Sequence, residues 1–254
     1  EMDAAMAAAE KFGTTVLAQL TDDRKQFTPD KIRAAVTRYK GRVKYWELFN
    51  EPNFTWSPQD FAKAAKEAYK IIKEVDPQAL VMGPSVCGMD LGWNEAFFKA
   101  GGMEAIDIVA THDYEGHEGI DPNHWRWKVD AFRKLMARYG GEKKEIWQTE
   151  RAISGVRGGN FQPTAQAVRM LLHRDLLETL GIPSEHNNHY YLNEGGFAGC
   201  PSYAWSNTGP HPAAIALRNR AAQIGKRKYA GELKFGPLDE KVFMGVRYAG
   251  NDGS

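Results

Sequence analysis

The sequence predicts an α/β fold of the (β/α)8-barrel type, incomplete within this chain and followed by the start of a β-segment. Two observations carry that reading. Apolar runs with strand character alternate with amphipathic helical stretches at intervals of roughly 30 residues, the rhythm of parallel βα units. Six such strands can be counted along the 254 residues, whereas a closed barrel of ~250 residues holds eight. The runs are continuous rather than alternating, as expected of parallel strands covered on both faces.

The chain opens in a helix in which Met2, Met6 and Ala9 follow helical spacing and Gly13 is placed to end it. Thr14 to Leu20 reads as a strand. Thr28-Pro29-Asp30 starts the next helix with an N-cap hydroxyl, a proline at the first helical position and an acid in the first turn. Ile32, Val36 and Tyr39 form its inner face, and Gly41 stops it. Val43 to Phe49 is the next strand. Ser57-Pro58-Gln59-Asp60 repeats the start signal, and Phe61, Ala65, Ala68 and Ile72 make an apolar stripe.

Ala79 to Gly83 and Ile106 to Thr111 are strands on either side of a helix at Trp93 to Ala100. A helix near Trp127 to Tyr139 carries Val129, Phe132 and Met136 and leads to the strand Glu145 to Thr149. Thr164 caps a long helix with Val168, Leu171, Leu172, Leu176 and Leu180 inward, closed by Gly181. A strand at Asn188 to Leu192, a glycine-rich loop and a helix from Pro212 to about Ile224 follow. The tail from Lys241 to Tyr248 alternates like an antiparallel strand, and Asn251-Asp252-Gly253-Ser254 is a turn. Residues 1–235 are accordingly assigned to a partial barrel and 236–254 to the start of a small β-domain. Both ends read as cut, so the expectation is a barrel left open or closed by residues outside this chain.

Charge and composition narrow the function classes. Thirty-three Lys+Arg against 32 Asp+Glu leave a net charge of +1, with no basic block for a nucleic acid. The longest apolar runs fall far below the roughly 20 residues that span a bilayer, and the first residues lack a signal-peptide pattern. Cys87 and Cys200 are too few and too widely spaced for a disulfide framework or a CxxC site; free thiols are the default, with a single bridge left open. The seven Trp include several in apparent loops, where an aromatic ring is available to a ligand.

The chemistry sits at strand ends. Tyr45-Trp46-Glu47-Leu48-Phe49 runs into Asn50-Glu51-Pro52-Asn53, and Pro52 turns the chain away, leaving Glu51 at the mouth where parallel folds bind ligands. Ile146-Trp147-Gln148-Thr149 ends in Glu150 in the same way. Two carboxylates at strand ends suit glycoside hydrolysis, in which one protonates the leaving oxygen and the other attacks or activates water. The plain alternative is a pair of salt-bridged surface acids.

At these residues the sequence resembles the retaining glycoside hydrolases of clan A, family 39 first and family 5 next. Trp46 to Asn53 is similar to the Asn-Glu-Pro signature on the clan's fourth strand, which implies Glu51 as general acid/base and Asn50 as the contact to the sugar 2-hydroxyl. Trp147-Gln148-Thr149-Glu150 matches the seventh strand, which implies Glu150 as nucleophile. Thr111-His112-Asp113-Tyr114 is similar to the His-x-Tyr of the sixth. The clan's first two strands have no counterpart here, and with them goes an Arg that often supports the nucleophile. The resemblance implies a carbohydrate substrate, no cofactor and a secreted or periplasmic setting.

Other residues have competing readings. His112, His117, His124 and Asp113 could be taken for a metal cluster, but their spacing gives no helical zinc pair and Pro122 interrupts the stretch; His112 is better read as a hydrogen-bonding strand-end residue. Tyr114 either donates to Glu150 or simply packs. Trp56, Trp125 and Trp205 are candidates to stack on sugar faces, Trp205 foremost, whereas Trp46 and Trp147 read as core. The leading expectation is a retaining glycosidase. A transglycosylase on the same residues and a non-catalytic carbohydrate-binding barrel are the alternatives. Retention requires the two carboxyl groups to stand ~5–5.5 Å apart, and inversion ~6.5–9.5 Å.

Overall fold

The computed structural model describes residues 2–114, 122–151, 153, 156–157, 160–183, 186, 205–206, 209–225, 227–232 and 246–250. It divides into two compact units, Glu1–Asp113 with Asp130–Trp147, and Tyr114–Val129 with Gln148–Ser254.

In the first unit α1 (Met2–Phe12) precedes β1 (Leu17–Gln19), α2 (Pro29–Arg38), β2 (Tyr45–Glu47), α3 (Pro58–Val75), β3 (Leu80–Cys87), α4 (Leu91–Lys99) and β4 (Ile108–His112). Helix α5 (Pro122–Arg138) then leads to β5 (Ile146–Gln148). The strands form one sheet in chain order, β1-β2-β3-β4-β5. The first three pairs are parallel, with Leu17 opposite Tyr45, Tyr45 opposite Leu80 and Met82 opposite Ile108.

Both faces of this sheet are covered. Met82, Ile108, Ala110 and Trp147 cluster on one face with Leu17, Tyr45 and Leu80 against them. The alternate residues Ala18, Trp46, Val81 and Val109 are buried as well. The rings of Tyr45 on β2 and Trp147 on β5 lie 4.7 Å apart, centroid to centroid, although β3 and β4 run between their strands. In a flat sheet, strands three places apart are separated by roughly 14 Å. The contact therefore requires the sheet to curl with this cluster on its concave side, which is the curvature of a (β/α)8 barrel. The described strands are an arc of such a barrel.

The helices follow the predicted periodicity. Ile32, Val36 and Tyr39 of α2, Phe61, Ala65, Ala68 and Ile72 of α3, and Val129, Phe132 and Met136 of α5 are all buried. Ser57 Oγ accepts from the Asp60 N–H at 3.1 Å and caps α3 as expected. Thr28 occupies the N-cap of α2 but makes no side-chain cap bond, so Pro29 and Asp30 carry that helix start. Gly13 and Gly41, predicted stops, adopt φ of +64° and +72°, a left-handed backbone that costs glycine little. Asp107 fastens α3 to the sheet: its carboxylate accepts from Tyr69 at 3.0 Å and from the Val81 N–H at 2.8 Å, and pairs with Lys73 at 2.7 Å.

The second unit holds the two-stranded pair β6 (Val156–Arg157) and β7 (Asn160–Phe161), then α6 (Pro163–Thr179). A second pair, β8 (Trp205–Ser206) and β9 (Gly209–Pro210), precedes α7 (Pro212–Ile224), and an antiparallel hairpin of β10 (Lys228–Glu232) and β11 (Val246–Ala249) follows. Ile153, Ala167, Met170 and Ala213 form its core cluster.

Here several expectations are corrected. Gln162, not Thr164, is the N-cap of α6. The buried face of that helix is Gln166, Ala167, Met170, His173, Leu176 and Leu177, and Val168 is half exposed. Of the predicted stripe Leu176 and Leu180 are buried, while Val168, Leu171 and Leu172 are not, because the buried face is rotated toward Gln166 and His173. Gln166 is accommodated there because its Nε2 donates to the Ile153 carbonyl at 2.8 Å. Trp125 is also core: it is buried, with His173 edge-on at 4.4 Å. Trp205 begins a two-residue strand rather than lying in a loop. The expected strand at Asn188 to Leu192, the glycine-rich loop, His117, Cys200, the first half of the tail and the final turn lie outside the described residues.

Candidate active site

The chain after β2 is fixed residue by residue. Leu48 and Phe49 stay buried, and the Leu48 N–H continues the ladder to the Met82 carbonyl at 3.0 Å. The Asn50 N–H donates to the Thr21 carbonyl and the Glu51 N–H to the Ser85 carbonyl, each at 3.2 Å. Pro52 then starts a single 3-10 turn, Pro52–Phe54. The Asn53 side chain mimics a neighbouring strand against Cys87, accepting from its N–H at 3.1 Å and donating to its carbonyl at 3.4 Å. Glu51, held between these anchors, has φ +48° and ψ +58°. A non-glycine residue in that left-handed region carries strain of about 1–2 kcal/mol, tolerated only where the surroundings over-determine it.

Beneath Glu51 lies a buried polar row in which His112 was expected from the sequence and Glu47 and Ser85 were not. Glu47, the last residue of β2, and His112, the last residue of β4, are both buried. Ser85 Oγ donates to Glu47 Oε1 at 2.6 Å, and His112 Nε2 lies 3.4 Å from the same oxygen. His112 Nδ1 lies 3.4 Å from Glu51 Oε1. The ring thus stands between two carboxylates, one structural and one half-buried. The signal for Glu47 was an acid inside an otherwise apolar strand, between Trp46 and Leu48. Its burial makes sense only with such partners, because an isolated buried carboxylate is costly.

In the second unit the Tyr114 hydroxyl donates to Glu150 Oε1. Of the two readings open for Tyr114, the hydrogen bond is the one formed. Glu150 lies two residues beyond β5 and is half-buried, with Thr149 and Arg151 buried on either side. Glu51 and Glu150 therefore each follow a strand of the same curled sheet.

The remaining candidates separate. Asn50 Oδ1 is shielded from solvent and accepts no hydrogen bond among the described residues. Trp56 is half-buried in an aromatic cluster, and the Arg24 guanidinium lies 4.0 Å from its ring centre, covering that face. His124 is exposed on α5 with its ring 5.9 Å from Trp127. Trp205 pairs through its backbone with Pro210.

Residues 19–179 match the family model described as glycosyl hydrolase catalytic core. Among solved structures, a family 39 glycoside hydrolase from the gut symbiont Bacteroides cellulosilyticus superposes with a TM-score of 0.72 at 20% identity, covering 100% of this chain and 58% of that one. A glucosidase from Croceicoccus marinus gives 0.66 at 16% identity, covering 99% and 56%. An α-L-arabinofuranosidase from Thermotoga maritima gives 0.65 at 16%, covering 85% and 51%. This chain thus spans between half and three-fifths of the length of these structures, and the likeness at such identities is one of fold.

Proposed function

The chain belongs to the glycosyl hydrolase catalytic core family, and on that premise we propose that it is a retaining glycosidase with Glu51 as acid/base and Glu150 as nucleophile. One observation carries the reading: two glutamates each follow a strand of one curled sheet, and each has a partner suited to its role. Glu51 has His112, and Glu150 has the Tyr114 hydroxyl.

In the first step the Glu51 carboxyl gives its proton to the glycosidic oxygen while a Glu150 oxygen bonds to the anomeric carbon. The bond from that carbon to the leaving group breaks, and a glycosyl ester remains on Glu150. Glu51, now a carboxylate, takes a proton from water, whose oxygen attacks the same carbon and releases Glu150. Two inversions give net retention, and the reading requires a separation of ~5–5.5 Å between the two carboxyl groups. Tyr114 donates to the nucleophile, steadying its negative charge and fixing the orientation of the carboxylate. Asn50, next to Glu51 in the chain, is assigned the contact to a sugar hydroxyl beside the reacting carbon. Trp205 is proposed as a platform for a sugar ring. No cofactor enters any step, and the substrate is an oligo- or polysaccharide.

A panel of nitrophenyl glycosides differing in the sugar tests this. Turnover of at least one, abolished in Glu150→Gln, is expected. Glu51→Ala should keep kcat/KM on nitrophenyl leaving groups, whose departure needs no proton, while kcat falls because deglycosylation loses its base. On poor leaving groups it should lose about 10²–10⁴-fold in kcat/KM, the usual worth of a general acid. Turnover that survives Glu150→Gln undiminished overturns the assignment, and binding without turnover makes the chain a carbohydrate-binding module.

A further inference from the structure

In the second unit, α6, α7 and the β10–β11 hairpin frame a cavity of about 810 Å³ whose lining is dominated by positive charge. Among the described residues Arg174, Arg220, Arg227 and Lys228 line it, with Glu178 as the one acid. Asp175, close by, is committed to Arg220: its Oδ1 accepts from Nη2 at 2.7 Å and Nε at 3.0 Å, and from the Tyr248 hydroxyl at 2.8 Å. That pair is largely buried, at 14% and 22% side-chain exposure, and sets the wall of the cavity. Arg227 and Lys228 are exposed at its rim, and Tyr229 and Tyr248 contribute rings.

Burial, with the Arg220 charge second, pulls the Arg174 guanidinium down to about 10, although the Glu178 and Asp175 carboxylates oppose that pull. The cations outnumber the acids around this partly desolvated space, and a bound anion would lessen their mutual repulsion. The volume lies within the ~300–1,000 Å³ range of small-molecule sites, and guanidinium forks match the oxygens of carboxylate, sulfate and phosphate groups. None of these residues takes part in the chemistry proposed for Glu51 and Glu150.

We propose that this cavity binds a small oxyanion-bearing ligand, its oxyanion held by Arg174 with Arg227 and Lys228 at the entrance. The oxyanion can belong to a free inorganic ion or to an acidic sugar.

Isothermal titration of the 254-residue chain at constant ionic strength, with sodium phosphate, sodium sulfate and sodium glucuronate in separate arms, distinguishes the sources. Saturable one-to-one binding of at least one is expected, weakened tenfold or more in Arg174→Met and in the rim variant Arg227→Gln/Lys228→Gln. A preference for phosphate or sulfate assigns the site to an inorganic ion, and a preference for glucuronate to an acidic sugar. If Arg174→Met does not fold, the rim variant, altered only at exposed positions, carries the test. No saturable binding in any arm, or binding that the folded variants leave intact, overturns the proposal.

Discussion

His112 Nδ1 lies 3.4 Å from Glu51 Oε1, and the opposite nitrogen of the same ring lies equally far from Glu47. A neutral imidazole has one N–H and can donate to only one of these carboxylates, whereas an imidazolium can donate to both. The position of the proposed acid/base is therefore tied to a buried residue two strands away. His112→Asn should lower kcat by about 10²-fold, the scale of a small misplacement of a reacting group, with little change in KM. Glu47→Gln should shift the pH profile of kcat, which a merely structural role would leave in place. Unaltered profiles in both variants would reduce this row to packing.

The backbone at Glu51 makes a separate prediction. At φ +48° a side chain is strained and glycine is not. Glu51→Gly should be more stable than Glu51→Ala by about 1 kcal/mol, the left-handed penalty, with both equally defective on poor leaving groups. Denaturant midpoints of the pair measure this, and equal midpoints would mean that the loop relaxes.

Phe61 joins the loop after Glu51 to the helical layer. It is fully buried, with Phe27, Phe49, Trp56, Trp93 and Phe97 all within 6.1 Å, centroid to centroid. Phe61→Ala should cost about 3–5 kcal/mol, as large cavities in aromatic cores do, and Phe61→Leu clearly less. Equal, small losses in urea unfolding would show that the cluster contributes little.

Tyr69 supplies a pH dependence. Burial, and then the Asp107 carboxylate beside it, push its phenol up to about 12. The folded value lies above the unfolded one near 10, so the folded state holds the proton more tightly. The resulting stability is fully present below pH ~10 and is lost as the pH rises toward about 12. Tyr69→Phe should remove this alkaline slope and cost about 1 kcal/mol at neutral pH, the net worth of one hydrogen bond. Wild-type and variant curves running parallel between pH 10 and 12 would contradict it.

What the sequence made legible follows from period and punctuation. Helices α2 and α3 begin with proline signals and bury the residues their spacing names, because apolar residues alone fill those faces. The Asn-Glu-Pro turn was visible because proline after an apolar run has few other meanings. Helix α6 was misread where Gln166 and His173 sit on the buried face, since burial there depends on tertiary neighbours, the Ile153 carbonyl for Gln166 and the Trp125 ring for His173. Glu47 was missed for the same reason: its partners Ser85 and His112 lie 38 and 65 positions away. Pairs β6–β7 and β8–β9 have strands of two residues, too short for any period to register.

The central claim is double displacement through Glu150, and the anomeric form of the first-formed product tests it most directly. Proton NMR spectra taken in the first minutes of hydrolysis, before mutarotation, should show the same anomeric configuration in the released sugar as in the substrate. Inverted product would contradict the account, because a single displacement uses water rather than Glu150 as the attacking group.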